Sequence, residues 1–304
     1  MNRSLGTVVV GVGQLEKPDP LLQAAVRLVG DRAATIIAVH TYRLPDPFIA
    51  SYPDIVTMDP ELATAAEQAL LRQLEEQINS LGASTVQARV LPGPPDLAIL
   101  NVAEETGADL IMVGVTERGA ISRAVLGTTA GRIVRTSAVP VMIQRSLAPS
   151  RPRKILLTTD LSELSGSLYR NGLEIARRLA DPQADFRALF VVGQSLPVVP
   201  DVQPSFLQSV RERDLDPFLE RWTPEGVSCE GRVRLGDPSA EIRAEAEEWG
   251  ADLLVVGTHG RSGFSRLLIG SVAESISRRA ACDVLVVPAR GIGEETTEDD
   301  QPNS

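Results

Sequence analysis

The chain has 304 residues, enough for about two domains of ordinary size. Its formal net charge of −10 opposes a nucleic-acid groove or an anionic membrane as the main partner, since both call for surplus positive charge. No apolar run approaches the ~20 residues of a membrane helix, and MNRSLGTVVVGVG holds too short a run for a secretory signal, so a cytoplasmic location is expected.

In chain order, Thr7–Val12 is a continuous apolar run, the pattern of a strand buried on both faces. Further strands are expected at Thr35–Thr41, Thr85–Leu91, Asp109–Gly114 and Val139–Gln144. Helical patterns lie between them. The longest is Pro60–Leu81, where Leu62, Ala66, Leu70, Leu74 and Ile78 recur at helical spacing. The second half repeats the series, with strands near Ile155–Thr159, Phe186–Val192, Ser228–Leu235, Asp252–Gly257 and Val284–Val287. Strands alternating with helices imply a parallel sheet covered on both faces.

The two halves are copies. A shift of 143 residues places Gly93 on Gly236, Gly107-Ala-Asp-Leu110 on Gly250-Ala-Asp-Leu253, Gly114 on Gly257 and Gly127 on Gly270. Roughly two positions in five agree over about fifty residues, far above chance for an ungapped match. Nearer the start the shift differs slightly, and Val8-Val9-Val10 falls on Ile155-Leu156-Leu157. The expected domains are 1–147 and 152–290, joined through the Pro-, Ser- and Arg-bearing stretch Ser146–Arg153. The acidic segment 291–304 has no apolar periodicity and reads as a disordered tail. Cys229 and Cys282 lie far apart in strand-like surroundings and suggest buried thiols rather than a metal or disulfide framework. Trp222 and Trp249 suit helix–sheet packing.

The chemistry concentrates in one stretch, Gly257-Thr-His259-Gly260-Arg-Ser-Gly-Phe-Ser-Arg-Leu-Leu-Ile-Gly270-Ser271, of the form G-x2-G-x9-G-S. It follows a strand and precedes an amphipathic helix. Gly257 and Gly260 would let backbone approach a bulky anion, and Gly270-Ser271 would open a helix whose first N–H groups bind it, with the Ser271 hydroxyl as a further donor. No G-x-x-x-x-G-K-[ST] loop is present, and Gly11-Val-Gly13 lacks the third glycine of a dinucleotide fingerprint. His40 and His259 are the only histidines, which opposes His-rich metal sites and a duplicated Ser-His-Asp triad.

This pattern resembles the nucleotide-binding signature of the universal stress protein family, over roughly residues 5–145 and 152–289. The resemblance implies, in each half, an α/β domain with a five-stranded parallel sheet of order 3-2-1-4-5 flanked by helices. It implies ATP or AMP as ligand, with Mg²⁺ beside the phosphates. It carries an Asp at the end of the first strand onto Asp160 and an adenine-reading valine after the second strand onto Val191. Val256, Gly257, His259, Gly260, Gly270, Ser271 and Val272 complete the implied contacts. Domains of this family commonly pair through their fifth strands, so Val139–Gln144 is expected against Val284–Val287, with two chains pairing again as a homodimer.

The first copy departs from the pattern. Gly13 stands in place of Asp160, Glu117 in place of Gly260, and Thr41 in place of the valine, while Gly114, Gly127 and Thr128 persist. A carboxylate at 117 would repel phosphate, so an empty or altered first site is expected, unless Arg118-Gly119 restores the loop by a local shift. Asp160 followed by Glu163 also reads as a helix cap with its capping-box partner. Arg261 and Arg266 recur as Arg118 and Arg123 in the altered copy, which favours a structural or interface role. Three functions stay open: a nucleotide-binding stress regulator without catalytic residues, a nucleotide-independent interaction scaffold, and a slow ATPase or adenylating enzyme.

Overall fold

A computed structural model describes residues 5–29, 34–42, 60–115, 126–145, 151–193, 204–258 and 269–289. The first half runs β1 (Thr7–Gly11), α1 (Pro20–Val29), β2 (Thr35–Tyr42), α2 (Pro60–Ser80), β3 (Val86–Pro92), α3 (Pro95–Glu105), β4 (Leu110–Gly114), α4 (Thr128–Thr136) and β5 (Val141–Gln144). The second runs β6 (Lys154–Thr159), α5 (Glu163–Leu179), β7 (Asp185–Gly193), α6 (Pro204–Val210), a π-helical turn (Arg211–Leu215), α7 (Asp216–Trp222), β8 (Glu230–Gly236), α8 (Pro238–Trp249), β9 (Leu253–Gly257), α9 (Ser271–Arg279) and β10 (Asp283–Val287).

The ten strands form one sheet of order β3-β2-β1-β4-β5-β10-β9-β6-β7-β8. Each half has the order 3-2-1-4-5 within it, all parallel. The halves meet through β5 and β10, which pair antiparallel with Met142 opposite Leu285. The joint between the domains is therefore the fifth-strand pairing expected from the sequence.

Alternation along each strand explains the two layers. Val8 and Val10 enter one core with Leu22, Leu28 and Leu74; Val9 enters the other with Ile99, Val102 and Ile133. In the second half, Ile155 and Leu157 join Leu168 and Leu173, while Leu156 joins Ile242 and Ile276. So α1, α2 and α5 cover one face of the sheet, and α3, α4, α8 and α9 cover the other. Trp222 packs on α5 beside Gly166. Trp249, at the end of α8, carries the Arg187 guanidinium over its ring at 4.3 Å.

The repeated Gly-Ala-Asp-Leu has one structural job in both copies. Asp109 Oδ2 accepts the N–H groups of Gly6 (2.6 Å) and Thr7 (3.0 Å). Asp252 Oδ2 accepts those of Arg153 (2.8 Å) and Lys154 (3.0 Å). Each carboxylate ties the start of a first strand to the start of its neighbouring fourth strand, satisfying backbone donors left over where the ladder begins.

Candidate nucleotide site

In the second half β6 and β9 are neighbours, yet the helices that follow them, α5 and α9, lie on opposite faces. The crevice at the carboxyl ends of two such strands is where doubly wound sheets take ligands. Asp160, directly after β6, and Thr258, directly after β9, both border it.

The turn around Asp160 is built from short polar side chains. Asp160 Oδ1 accepts from Ser162 N (3.0 Å) and Ser162 Oγ (2.7 Å). Ser165 Oγ accepts from Asp160 N at 3.2 Å and lies 2.9 Å from Thr159 Oγ1, which in turn accepts from Leu161 N at 3.0 Å. Leu161 sits at φ 66°, a left-handed conformation that branched and bulky residues avoid. The helix cap is Ser162, whose Oγ accepts from Ser165 N at 3.1 Å. Asp160 is thus not the cap that the sequence suggested. Glu163 does not close a capping box either: it is the first residue of α5 and pairs with Arg221. Asp160 and two serines hold the turn together.

Val191 lies at the same level. The last β6–β7 pair is Thr159 with Phe190, so the next step in register sets Asp160 beside Val191. The Val191 and Val256 side chains point into the core, so any ligand contact from either uses backbone.

The motif loop is closed at its neck. Thr258 N donates to Val287 O at 2.9 Å, Thr258 O accepts from Gly270 N at 2.7 Å, and Thr258 Oγ1 accepts from Ala289 N at 3.0 Å. A Cβ on Gly270 would lie 3.2 Å from Thr258 O, so this close approach of two backbones favours glycine. Beyond the neck α9 begins. Its first helical donor is Glu274 N, to Gly270 O at 2.9 Å, and Gly270 brings no side chain to cap the N–H groups of Ser271, Val272 and Ala273. By contrast α5 and α8 carry side-chain caps, Ser162 and Asp237. Ser271 is exposed and Val272 half-buried. His259 and Gly260 lie outside the described residues. Gly257 has a packing reason of its own: a Cβ there would lie 2.7 Å from Leu168 Cδ1 of α5, so the close approach of that helix favours glycine.

In the first half, the register past the last β1–β2 pair, Gly11 with Val39, sets Gly13 level with Thr41. No carboxylate grows from position 13. Instead the buried Asp19 folds back from the start of α1: its Oδ2 accepts from Gly13 N (2.9 Å) and its Oδ1 from Leu21 N (2.8 Å) and Leu22 N (3.2 Å). Gln77 of α2 fixes this loop, accepting from Asp19 N and donating to Leu15 O and Lys17 O. Gly114 ends β4, and Gly127-Thr128 opens α4 much as Gly270-Ser271 opens α9. Glu117 to Gly119, Arg123, Arg261 and Arg266 lie outside the described residues. Sequence reading missed Asp19, Ser162, Ser165 and Thr258. Asp19 carried a readable signal, an Asp before a Pro at a helix start, and Ser162 stood as a second cap candidate beside Asp160.

The profile of the universal stress protein family matches residues 5–145 and again 152–288. The chain belongs to that family. A universal stress protein of Mycolicibacterium smegmatis is 24% identical over 294 residues, covering 93% of this chain and 97% of the relative. A single-domain-sized universal stress protein of Methanocaldococcus jannaschii is 33% identical over 144 residues, 44% of this chain and 81% of its own length. Among solved structures, a universal stress protein from Archaeoglobus fulgidus aligns over 93% of this chain and 98% of its own, with TM-score 0.64 at 19% identity. A Pseudomonas aeruginosa protein described as functionally unknown aligns over 94% and 93%, with TM-score 0.67 at 18% identity. These structures share the tandem fold.

Proposed function

We propose that this universal stress protein binds an adenine nucleotide, ATP or AMP, in its second domain, and that partners in a cytoplasmic stress response read the occupied state. The observation that carries this reading is the crevice between β6 and β9: the Asp160 turn borders one side, and the α9 N-terminus, without a side-chain cap from Gly270, borders the other. The N–H groups of Ser271 and Val272 suit a phosphate, because a helix N-terminus favours negative charge and its first donors lack helical partners. Asp160 and the Val191 backbone, level with each other, suit the nucleoside. Mg²⁺ would enter as a companion of the phosphates, whose negative charge it would offset. The reading is one of binding without turnover, and of a chain that forms a homodimer.

The test is calorimetric titration of ATP, AMP and cyclic AMP, with and without Mg²⁺, into the full chain and into Gly260→Glu, which copies Glu117 into the second loop. One nucleotide per chain in the parent, with at least tenfold weaker binding in the folded variant (about 1.4 kcal/mol), supports the reading. A parent that binds none of the three defeats it and leaves the interaction scaffold. Among the described residues no helix is long and apolar enough to cross a membrane.

A further inference from the structure

The β5–β10 joint looks two-fold symmetric along its middle: Val284 faces Ile143, Leu285 faces Met142 and Val286 faces Val141. Under the 143-residue repeat these are the same positions exchanged. The ends of the joint break that symmetry. At one end Asp283, 8% exposed, accepts from Gln144 Nε2 at 2.6 Å and from Arg145 N at 2.7 Å. The Arg145 side chain reaches over to donate to the carbonyl of Ser277 in α9. The repeat puts Pro140 in place of Asp283, Val287 in place of Gln144 and Pro288 in place of Arg145, so the other end has none of these groups. Between the helices, Arg135 of α4 meets Glu274 of α9 at 3.7 Å, and the first domain has Gly131 where Glu274 stands.

We propose that this one-sided clamp makes the fifth-strand face of the second domain selective: it accepts a first domain and rejects another second domain. Consider two second domains joined in the same register. Each Asp283 would then face Val287, which has no amide to donate, and Pro288, which has no backbone N–H. Two carboxylates would be buried per joint without the Gln144 and Arg145 donors, and burying a charge with fewer hydrogen bonds is unfavourable. Two first domains would set Gln144 against Pro140 and Arg135 against Gly131, losing the same bonds from the other side. The duplication left two faces alike enough to pair with themselves, and Asp283, Gln144 and Arg145 direct them to each other. Chains that associate therefore do so through surfaces other than β10 against β10.

The test uses the full chain with a protease site placed within residues 146–150, cleaved after folding. The nicked protein is incubated in mild urea until its composition stops changing, and native mass spectrometry then counts the pairs formed by the two halves. In the parent, first–second pairs are expected to exceed second–second pairs at least tenfold. Asp283→Val removes the rejected charge and should bring second–second pairs toward the statistical share. Asp283→Asn removes the charge but keeps only one of the two acceptor oxygens, is the milder change in shape, and should fall between. A parent that redistributes statistically overturns the proposal. So does a series in which neither substitution changes the ratio.

Discussion

Asp19 Oδ2 accepts the Gly13 N–H at 2.9 Å, across the turn where the second domain instead carries Asp160. One domain grows its carboxylate from the end of the first strand; the other borrows one from the start of the following helix and turns it inward. The inward one is consumed by three close backbone donors, those of Gly13, Leu21 and Leu22. The turn in the first domain is therefore satisfied from within the chain, in a loop braced by Gln77. Asp19→Ala should cost about 2–4 kcal/mol, because it removes a helix cap and leaves buried N–H groups unmet. Asp19→Asn should cost about 1–2 kcal/mol, since the amide keeps one acceptor. Urea denaturation of the full chain measures both. Equal, near-zero losses would mean the carboxylate holds nothing.

The Gly257 position separates packing from ligand approach. An alanine there meets Leu168 Cδ1 at 2.7 Å, whereas an alanine at the equivalent Gly114 meets Leu21 Cδ2 at 3.9 Å, an ordinary contact. Gly257→Ala is expected to destabilise the chain by about 1–3 kcal/mol through overpacking, and Gly114→Ala by less than about 1 kcal/mol. ATP affinity of the folded Gly257→Ala protein should stay within about threefold of the parent, less than 1 kcal/mol. Melting curves and calorimetry on the same samples decide it: retained stability with lost affinity would assign Gly257 to the ligand rather than to packing.

The fold was legible because it rests on two strong periodic signals. The triple valine of β1 and the 143-residue repeat marked strand type and duplication, the family resemblance supplied the strand order, and each strand boundary fell within about two residues of its reading. The candidate site was legible only where glycines and a helix start lie close in sequence, as where Gly270-Ser271 opens α9. Asp19 acts six residues from the glycine it serves, and Thr258 closes its loop through Gly270 and Ala289. Such contacts depend on how the chain returns on itself, which spacing along one strand does not encode. The Ser162 cap was hidden because Asp160-Leu-Ser-Glu163 offers two cap residues, and only the conformation of Leu161 selects between them.

Leu161 gives a conformational test. At φ 66° its backbone is left-handed while its side chain packs, half-buried, against the α5 side of the core. Leu161→Val should destabilise by about 1–2 kcal/mol, because a β-branched side chain fits that region poorly. Leu161→Asn should lie within about 1 kcal/mol of the parent, as asparagine tolerates the conformation and offsets the lost packing. Both are read from thermal melts. If Val is the better tolerated of the two, the left-handed turn is not what holds this loop.

The two thiols test the electrostatics of the interior. Shielding from solvent pushes Cys229 up from 9.0 to about 11, although its bond from the Tyr169 hydroxyl at 3.3 Å pulls the other way. Shielding, aided by the neighbouring Asp283 carboxylate, pushes Cys282 up to about 12. Both thiols are then neutral at pH 8 in the folded chain, and reaction with a thiol-specific disulfide reagent should be slow until denaturant is added, when both react. The sign for stability follows. Above pH 9 the unfolded chain releases protons that the folded chain keeps, so the unfolded state gains and stability falls with rising pH. The loss runs from about pH 9 to 11 for Cys229 and to 12 for Cys282, with a slope of at most about 1.4 kcal/mol per pH unit per thiol. Replacing both cysteines with Ala should flatten that part of the curve relative to the parent. An unchanged slope, or prompt labelling of the native protein at pH 8, would show that these thiols are not held neutral by the fold.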